Sequence, residues 1–137
     1  MSDATELALR GLRHRDRSRR ELEQRLTREG IAGEELEEVL DALEASGVVS
    51  DVRFAHQRAR SLAGRNAGDT LIRADLSRSG IAPDLVDEAV EGLEAESERA
   101  ARIFERRGGG DRALRYLTGK GFSRESLEPL HVADPVD

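Results

Sequence analysis

The chain has 137 residues and no cysteine, which excludes disulfides, thiolate metal sites, iron–sulfur clusters and thiol catalysis. Aromatic residues make up 3%, with three Phe, one Tyr and no Trp. Antiparallel sandwiches and barrels draw on aromatic and β-branched side chains, so an all-β fold is disfavoured. No apolar run approaches the ~20 residues that cross a bilayer. The start, Met1-Ser-Asp-Ala-Thr-Glu6, has no basic stretch leading into an apolar one, as a secretory signal requires. The expectation is a soluble, cytoplasmic protein with no membrane partner. Lysine is nearly missing as well: Lys120 is the one lysine among 22 basic residues. That bias runs evenly along the chain, as a GC-rich genome would produce, and so marks no particular face.

What the chain does have is charge (36%) and aliphatic residues spread over its whole length. Leu36, Val39, Leu40 and Leu43 stand at i, i+3, i+4 and i+7, with Glu34, Glu35, Glu37, Glu38 and Asp41 between them. This is the stripe of an amphipathic helix with a solvated acidic face. Val86, Ala89, Val90 and Leu93 repeat the spacing. Ser18-Arg-Arg-Glu21 reads as a capping box, and Pro83 suits a first helical position. The pattern predicts nine helices, near 3–13, 18–29, 33–46, 51–63, 69–79, 83–95, 97–107, 111–119 and 123–132. The boundary between the sixth and seventh is the least marked, and one continuous helix there is the alternative.

An internal repeat organises these helices. Residues 30–44 read GIAGEELEEVLDALE and residues 80–94 read GIAPDLVDEAVEGLE, aligned without a gap. A third copy starts at Gly121-Phe122. In each copy a glycine closes one helix and the next apolar residue folds back on it: Gly30-Ile31, Gly80-Ile81 and Gly121-Phe122. The fold expected is all-α, three tandem three-helix repeats stacked into an elongated, curved body roughly 60 Å long. The units are 1–46, 47–95 and 96–132, followed by a frayed acidic tail, 133–137. The expected core includes Leu22, Leu26, Leu36, Leu40, Ile72, Leu76, Val90, Leu93 and Leu117. Pro129 falls inside the last helix and predicts that it is short or kinked.

Catalytic and cofactor motifs are missing. Gly119-Lys120 is followed by Gly121, and Leu114 stands where a phosphate loop needs its first glycine. His14, His56 and His131 lie in different repeats with no metal-ligand spacing. The reading is a non-enzyme with no metal and no cofactor. Charge is instead segregated in register with the repeats. Residues 1–30, 52–79 and 102–125 carry a positive excess, and 31–51, 80–101 and 126–137 a negative one, within a net charge of −6. The first two helices of each unit are basic and the third is acidic. The candidate partner-binding residues are Arg13, Arg15, Arg17, Arg19 and Arg20 in the first unit. They continue with Arg53, Arg58, Arg60, Arg65 and Arg73 in the second, and with Arg107, Arg112 and Arg115 in the third. Arg17, Arg19 and Arg20 sit at a helix start, where the helix dipole opposes positive charge. They are therefore expected to serve a partner rather than the fold, and to be reversible to Glu without loss of stability.

Four segments in order carry a resemblance to a known family: Arg17-Ser-Arg-Arg-Glu-Leu22, Gly47-Val-Val-Ser-Asp-Val-Arg-Phe-Ala55, Gly68 with Ile72, Leu76, Gly80 and Ile81, and Tyr116-Leu-Thr-Gly-Lys-Gly-Phe-Ser123. Together they resemble the RecX regulatory proteins, which bind the RecA recombinase filament. The resemblance implies a cytoplasmic, non-catalytic modulator, generally an inhibitor, of RecA filament growth, ATP hydrolysis, strand exchange and coprotease activity. A monomer is expected. Its arginine strip would meet acidic protein surface, or single- or double-stranded DNA through its phosphates. A helical DNA-binding regulator with helix-turn-helix-like units ranks second, because the third helix of each unit is acidic and DNA would repel it. A helical scaffold for another protein is the third class.

Overall fold

The computed structural model describes residues 2–132; the acidic tail, 133–137, lies outside them. Among the described residues the chain forms nine α-helices and no strand. They are α1 (Asp3–Gly11), α2 (Arg19–Arg28), α3 (Gly33–Ala45), α4 (Asp51–Gly64), α5 (Asp69–Arg78), α6 (Pro83–Glu91), α7 (Glu96–Arg106), α8 (Gly110–Gly119) and α9 (Arg124–Val132). The capping box forms as the sequence predicts: Ser18 Oγ accepts from the Glu21 amide and the Glu21 carboxylate accepts from the Ser18 amide. α6 stops four residues short of its expected end. Gly92 caps it, and Ala95 opens α7, so the continuous-helix alternative does not hold. Leu93 therefore falls in the turn and is half-buried rather than central. α9 is nine residues long and runs through Pro129.

Helices contact each other in triplets: α1 with α2 and α3, α4 with α5 and α6, α7 with α8 and α9. Each triplet buries its own apolar cluster. Leu22, Leu26, Leu36 and Leu40 centre the first, Ile72, Leu76, Val86 and Phe54 the second, and Ile103, Leu117, Phe122 and Leu127 the third. The corners follow the glycine rule. Gly30, Gly80 and Gly121 take φ of 90°, 85° and 88°, and the next residue donates back to the carbonyl of Leu26, Leu76 or Leu117. Only a left-handed residue allows that return bond, which satisfies a carbonyl the helix end leaves open.

The triplets join through a contact made twice in the same way. At the first joint, the fully buried Ser18 at the head of α2 donates its hydroxyl to the Ser79 carbonyl at 2.6 Å, while the Arg19 amide donates to Asp51 at 2.8 Å. At the second, the Gly68 and Thr70 amides at the head of α5 donate to the carbonyls of Lys120 (2.8 Å) and Gly121 (3.1 Å). There the Asp69 amide donates to Glu96 at 2.6 Å. In both, the start of a triplet's second helix is held by an acid heading the next triplet's first helix and by the glycine corner after that triplet's second helix. Glycine is required by close approach. A Cβ at 80 would lie 2.6 Å from Arg20 Cβ, and one at 68 would lie 2.3 Å from the Phe122 nitrogen.

Two substitutions separate core from joint. Leu40→Ala removes a fully buried side chain of the first cluster and should cost ~2–5 kcal/mol in urea unfolding. Gly68→Ala is free of backbone strain, because φ there is −84°. Its methyl group meets backbone instead, so it should cost ~1–3 kcal/mol and speed hydrogen exchange at the Thr70 amide.

Candidate partner-binding surface

The fold uses many of the candidate arginines internally. Arg19 reaches across to α3 and pairs with Glu37 and Asp41, both at 2.9 Å, and with Glu44. Burial opposes its charge, but the hydrogen bonds to Glu44 and Asp41 outweigh it and hold the guanidinium above its ordinary range. Arg17 donates through Nε to the Gly11 carbonyl at 2.6 Å, satisfying the end of α1. Arg20 packs into the Gly80 corner. The expectation that these three have no structural role is thus corrected. The dipole argument considered only their own helix, whereas their partners lie on α1, α3 and the next triplet.

Arg53 pairs with Asp16 at 2.9 Å and donates to the carbonyls of Gly47 and Val48, closing the end of α3. Arg58 forms a two-pronged pair with Asp75 at 2.8 and 3.0 Å, and its hydrogen bonds hold the Asp75 carboxyl below its ordinary range in spite of burial. Arg73 pairs with Asp87 at 2.6 Å. Arg15 makes a longer pair with Glu21, at 3.3 Å. Arg13, Arg60, Arg65, Arg112 and Arg115 are exposed and form no ion pair among the described residues.

Two basic centres result. In the first triplet, burial and then the nearby charges of Arg15, Arg25 and Arg28 push the Arg17 guanidinium below its ordinary range, with Glu21 offsetting part of this. The charges of three neighbouring arginines therefore bear on Arg17. Arg25 and Arg28 were not among the sequence candidates; their signal was the i, i+3 spacing on α2. The second centre surrounds Tyr116 at the joint of the second and third triplets. Arg107 stacks on its ring at 3.5 Å from the centroid, and Asn66, next to Arg65, donates to its hydroxyl at 3.0 Å. Arg112 lies one turn before Tyr116 on α8.

Sequence reasoning also missed Arg99, which is buried and clamps Asp69 at 2.8 Å together with the carbonyls of Ala67 and Glu94. Burial and the neighbouring Glu96 hold the Asp69 carboxyl above its ordinary range despite Arg99. Burial opposes the charge of Glu96 too, but hydrogen bonds from Ser123 and the Asp69 amide leave it below its ordinary range. These groups serve the joint. Among the described residues no group of three or more His, Asp or Glu is placed to hold a metal ion, and no helix is long and apolar enough to cross a membrane.

The domain families described as "RecX, first three-helix domain" and "RecX, second three-helix domain" match residues 4–43 and 50–90. The Regulatory protein RecX of Chromohalobacter salexigens is 36% identical over 129 residues, covering 88% of this chain and 85% of that protein. The chain belongs to the RecX family. A second relative, the Regulatory protein RecX of Acidithiobacillus ferrooxidans, is 33% identical across 94% of this chain and 89% of its own length. Among solved structures, RecX from Lactobacillus salivarius matches this RecX-family fold with a TM-score of 0.79 at 21% identity, over 94% of this chain and 92% of that one. All-α helical repeats are thus the family's architecture, and its named members are regulatory proteins.

Two results are expected for this RecX chain. Arg19→Glu places a fourth acid beside Glu37, Asp41 and Glu44 and should destabilise the fold by roughly 1–3 kcal/mol, read as the urea midpoint. Asp75 has a lowered carboxyl pKa, so its contribution is fully present above the ordinary value of 3.8 and is lost as pH falls through its lower folded value. Asp75→Asn should therefore lower stability at neutral pH and flatten the stability–pH curve below about pH 4.

Proposed function

We propose that the chain regulates the RecA recombinase. It binds along the RecA–DNA filament and inhibits filament growth, ATP hydrolysis, strand exchange and coprotease activity, as a cytoplasmic, non-catalytic monomer. The division into units at 46/47 and 95/96 is part of this reading. The observation that carries it is a pair of basic centres: Arg17 with the charges of Arg15, Arg25 and Arg28 bearing on it in the first triplet, and Arg107 on the Tyr116 ring with the exposed Arg65 and Arg112 in the neighbouring sequence. Gathering like charges costs free energy in the isolated chain. A partner offering carboxylates or phosphates offsets that cost on binding, and arginine suits both through its two-pronged geometry.

Placement on a filament follows from the repeat. The two centres belong to different triplets, so one copy engages acidic groups at two separated points. On a polymer of identical subunits those points fall on neighbouring protomers or on a protomer and the DNA beside it. A body fixed at both would occupy the groove an incoming duplex needs and would oppose exchange of the protomers it bridges.

The test is inhibition of RecA ATPase at two salt concentrations. Arg65→Glu with Arg112→Glu alters exposed, unpaired side chains and should change stability by no more than ~0.5 kcal/mol. It should weaken inhibition by ~1–3 kcal/mol of binding free energy and reduce its salt dependence. Glu35→Lys with Glu38→Lys, both exposed on α3 and off the Glu37–Asp41–Glu44 stripe that pairs with Arg19, should have a much smaller effect. Inhibition equal to the parent's by the arginine variant would overturn the proposal. Tight binding to naked duplex without any effect on RecA would favour the helix-turn-helix reading, and indifference to both would favour a scaffold.

A further inference from the structure

The two joints between triplets differ at one corresponding position. Three residues after the acid that heads each first helix stand Phe54 in α4 and Arg99 in α7. At the second joint the Arg99 guanidinium is buried, donating to the Asp69 carboxylate and to the carbonyls of Ala67 and Glu94. At the first joint Phe54 packs into the core of its own triplet instead. Beside it the two triplets leave an open notch of about 150 Å³, lined by Arg15 and Asp16 from the loop between α1 and α2 and by Phe54, Gln57, Arg58 and Ser61 from α4.

The notch is rich in donors that the fold has not used. Arg15 donates to Glu21 through Nη2 alone, at 3.3 Å to each oxygen, so its Nε and Nη1 have no partner among the described residues. Arg58 meets Asp75 with Nε and Nη2, and Nη1 is left over. The Gln57 and Ser61 side chains are exposed and form no hydrogen bond among the described residues. The acceptors, by contrast, are spent. Asp16, Glu21 and Asp75 are answered by Arg53, Arg15 and Arg58, and Arg78 also reaches Asp75. Unused donors, two of them guanidinium edges, beside acids that are already paired select an anion.

We propose that this notch binds the side-chain carboxylate of a protein partner, held between the Arg15 and Arg58 guanidiniums, with Gln57 and Ser61 completing its hydrogen bonds. Size and lining favour a carboxylate on a short apolar stem over a phosphate. A void of this volume admits a group of about six heavy atoms. The two methylenes of a glutamate would lie on the Phe54 ring while its oxygens meet the donors. A phosphate has no apolar part, and Asp16 on the rim would repel its second charge. Because the lining comes from two triplets, the bound carboxylate ties the first to the second and stiffens the joint held by Ser18 and Asp51. The inference rests on the reading above for the identity of the partner, while the carboxylate site itself is tested without RecA.

The probe is N-acetyl-glutamate N-methylamide, compared with its glutamine analogue and with inorganic phosphate, each added to isotope-labelled protein at constant ionic strength. Nitrogen–proton correlation spectra read the Arg15 and Arg58 Nε–H groups and the Gln57 side-chain amide. The glutamate should shift all three along one saturable curve and slow hydrogen exchange of the Arg19 amide, which donates to Asp51 across the joint. The glutamine analogue should shift none of them, and phosphate should bind several times more weakly. Arg15→Gln and, separately, Gln57→Glu should each weaken glutamate binding by about tenfold with the backbone spectrum otherwise unchanged. Arg106→Gln, the same loss of charge at an exposed position of the third triplet, should leave it as in the parent. Equal shifts from the glutamine analogue, tighter binding of phosphate, or undiminished binding in either notch variant would overturn the proposal. Failure of the parent chain to inhibit RecA, with glutamate binding intact, would count against the function above and leave this site standing.

Discussion

The start of an α-helix leaves backbone amides without partners, and where that start is buried another part of the molecule must supply acceptors. Here that requirement governs the assembly. The heads of α2 and α5 are buried against the following triplet, which meets them with an acid at the head of its own first helix and with the carbonyls of its glycine corner. A single triplet of ~40 residues has too small a core to be secure alone. The joints therefore do more than orient the triplets. They satisfy backbone groups whose desolvation would otherwise count against each unit.

This constraint reaches back into the sequence. The same glycine that ends a helix must also accept the neighbour's backbone or Cβ at van der Waals range, so Gly80 and Gly121 answer two demands with one residue. The acid at the head of each first helix likewise has two roles: Asp51 and Glu96 complement their own helix dipole and accept from another helix start. The second joint is more heavily built than the first. Arg99, Asp69, Glu96 and Ser123 form a half-buried cluster in which burial and the neighbouring Glu96 shift the Asp69 carboxyl up, while hydrogen bonds from Ser123 and the Asp69 amide shift that of Glu96 down in spite of burial.

Much of this architecture was legible in the sequence because helix periodicity, capping residues and glycine stops are local signals. All nine helices were read from them. The misplaced end of α6 also had a local signal, Gly92, which outweighs the apolar spacing that carried the reading on to Leu93. The charge pairs were not legible. Periodicity says which face of a helix a residue occupies and nothing of which helix lies opposite, and the Arg19 contacts span 18 to 25 residues of chain. An argument from the helix dipole alone therefore assigned Arg19 to a partner when the acidic stripe of α3 had already claimed it. Arg99 had a readable signal that went unused: it shares the i, i+3, i+4, i+7 stripe of Glu96, Ala100 and Ile103, the face that turns inward. A lone arginine on such a stripe is a buried clamp.

Segregation of charge in register with the repeats therefore has two causes that must be separated. Part is structural, since a basic second helix and an acidic third helix in one triplet attract each other, as Arg19 and α3 do, and as Arg73 and Asp87 do between α5 and α6. Were that the whole cause, the surplus after pairing would be scattered. Part of it is instead gathered around Arg17, where the charges of Arg15, Arg25 and Arg28 oppose its own, and Arg107 lies on the Tyr116 ring. Crowded like charge is disfavoured in the free molecule and favoured only in the presence of acceptors of opposite sign. The two points sit in different members of a repeated series, so on the proposed reading the partner surface would present acidic groups more than once. A repeating partner meets that condition more readily than a single compact one.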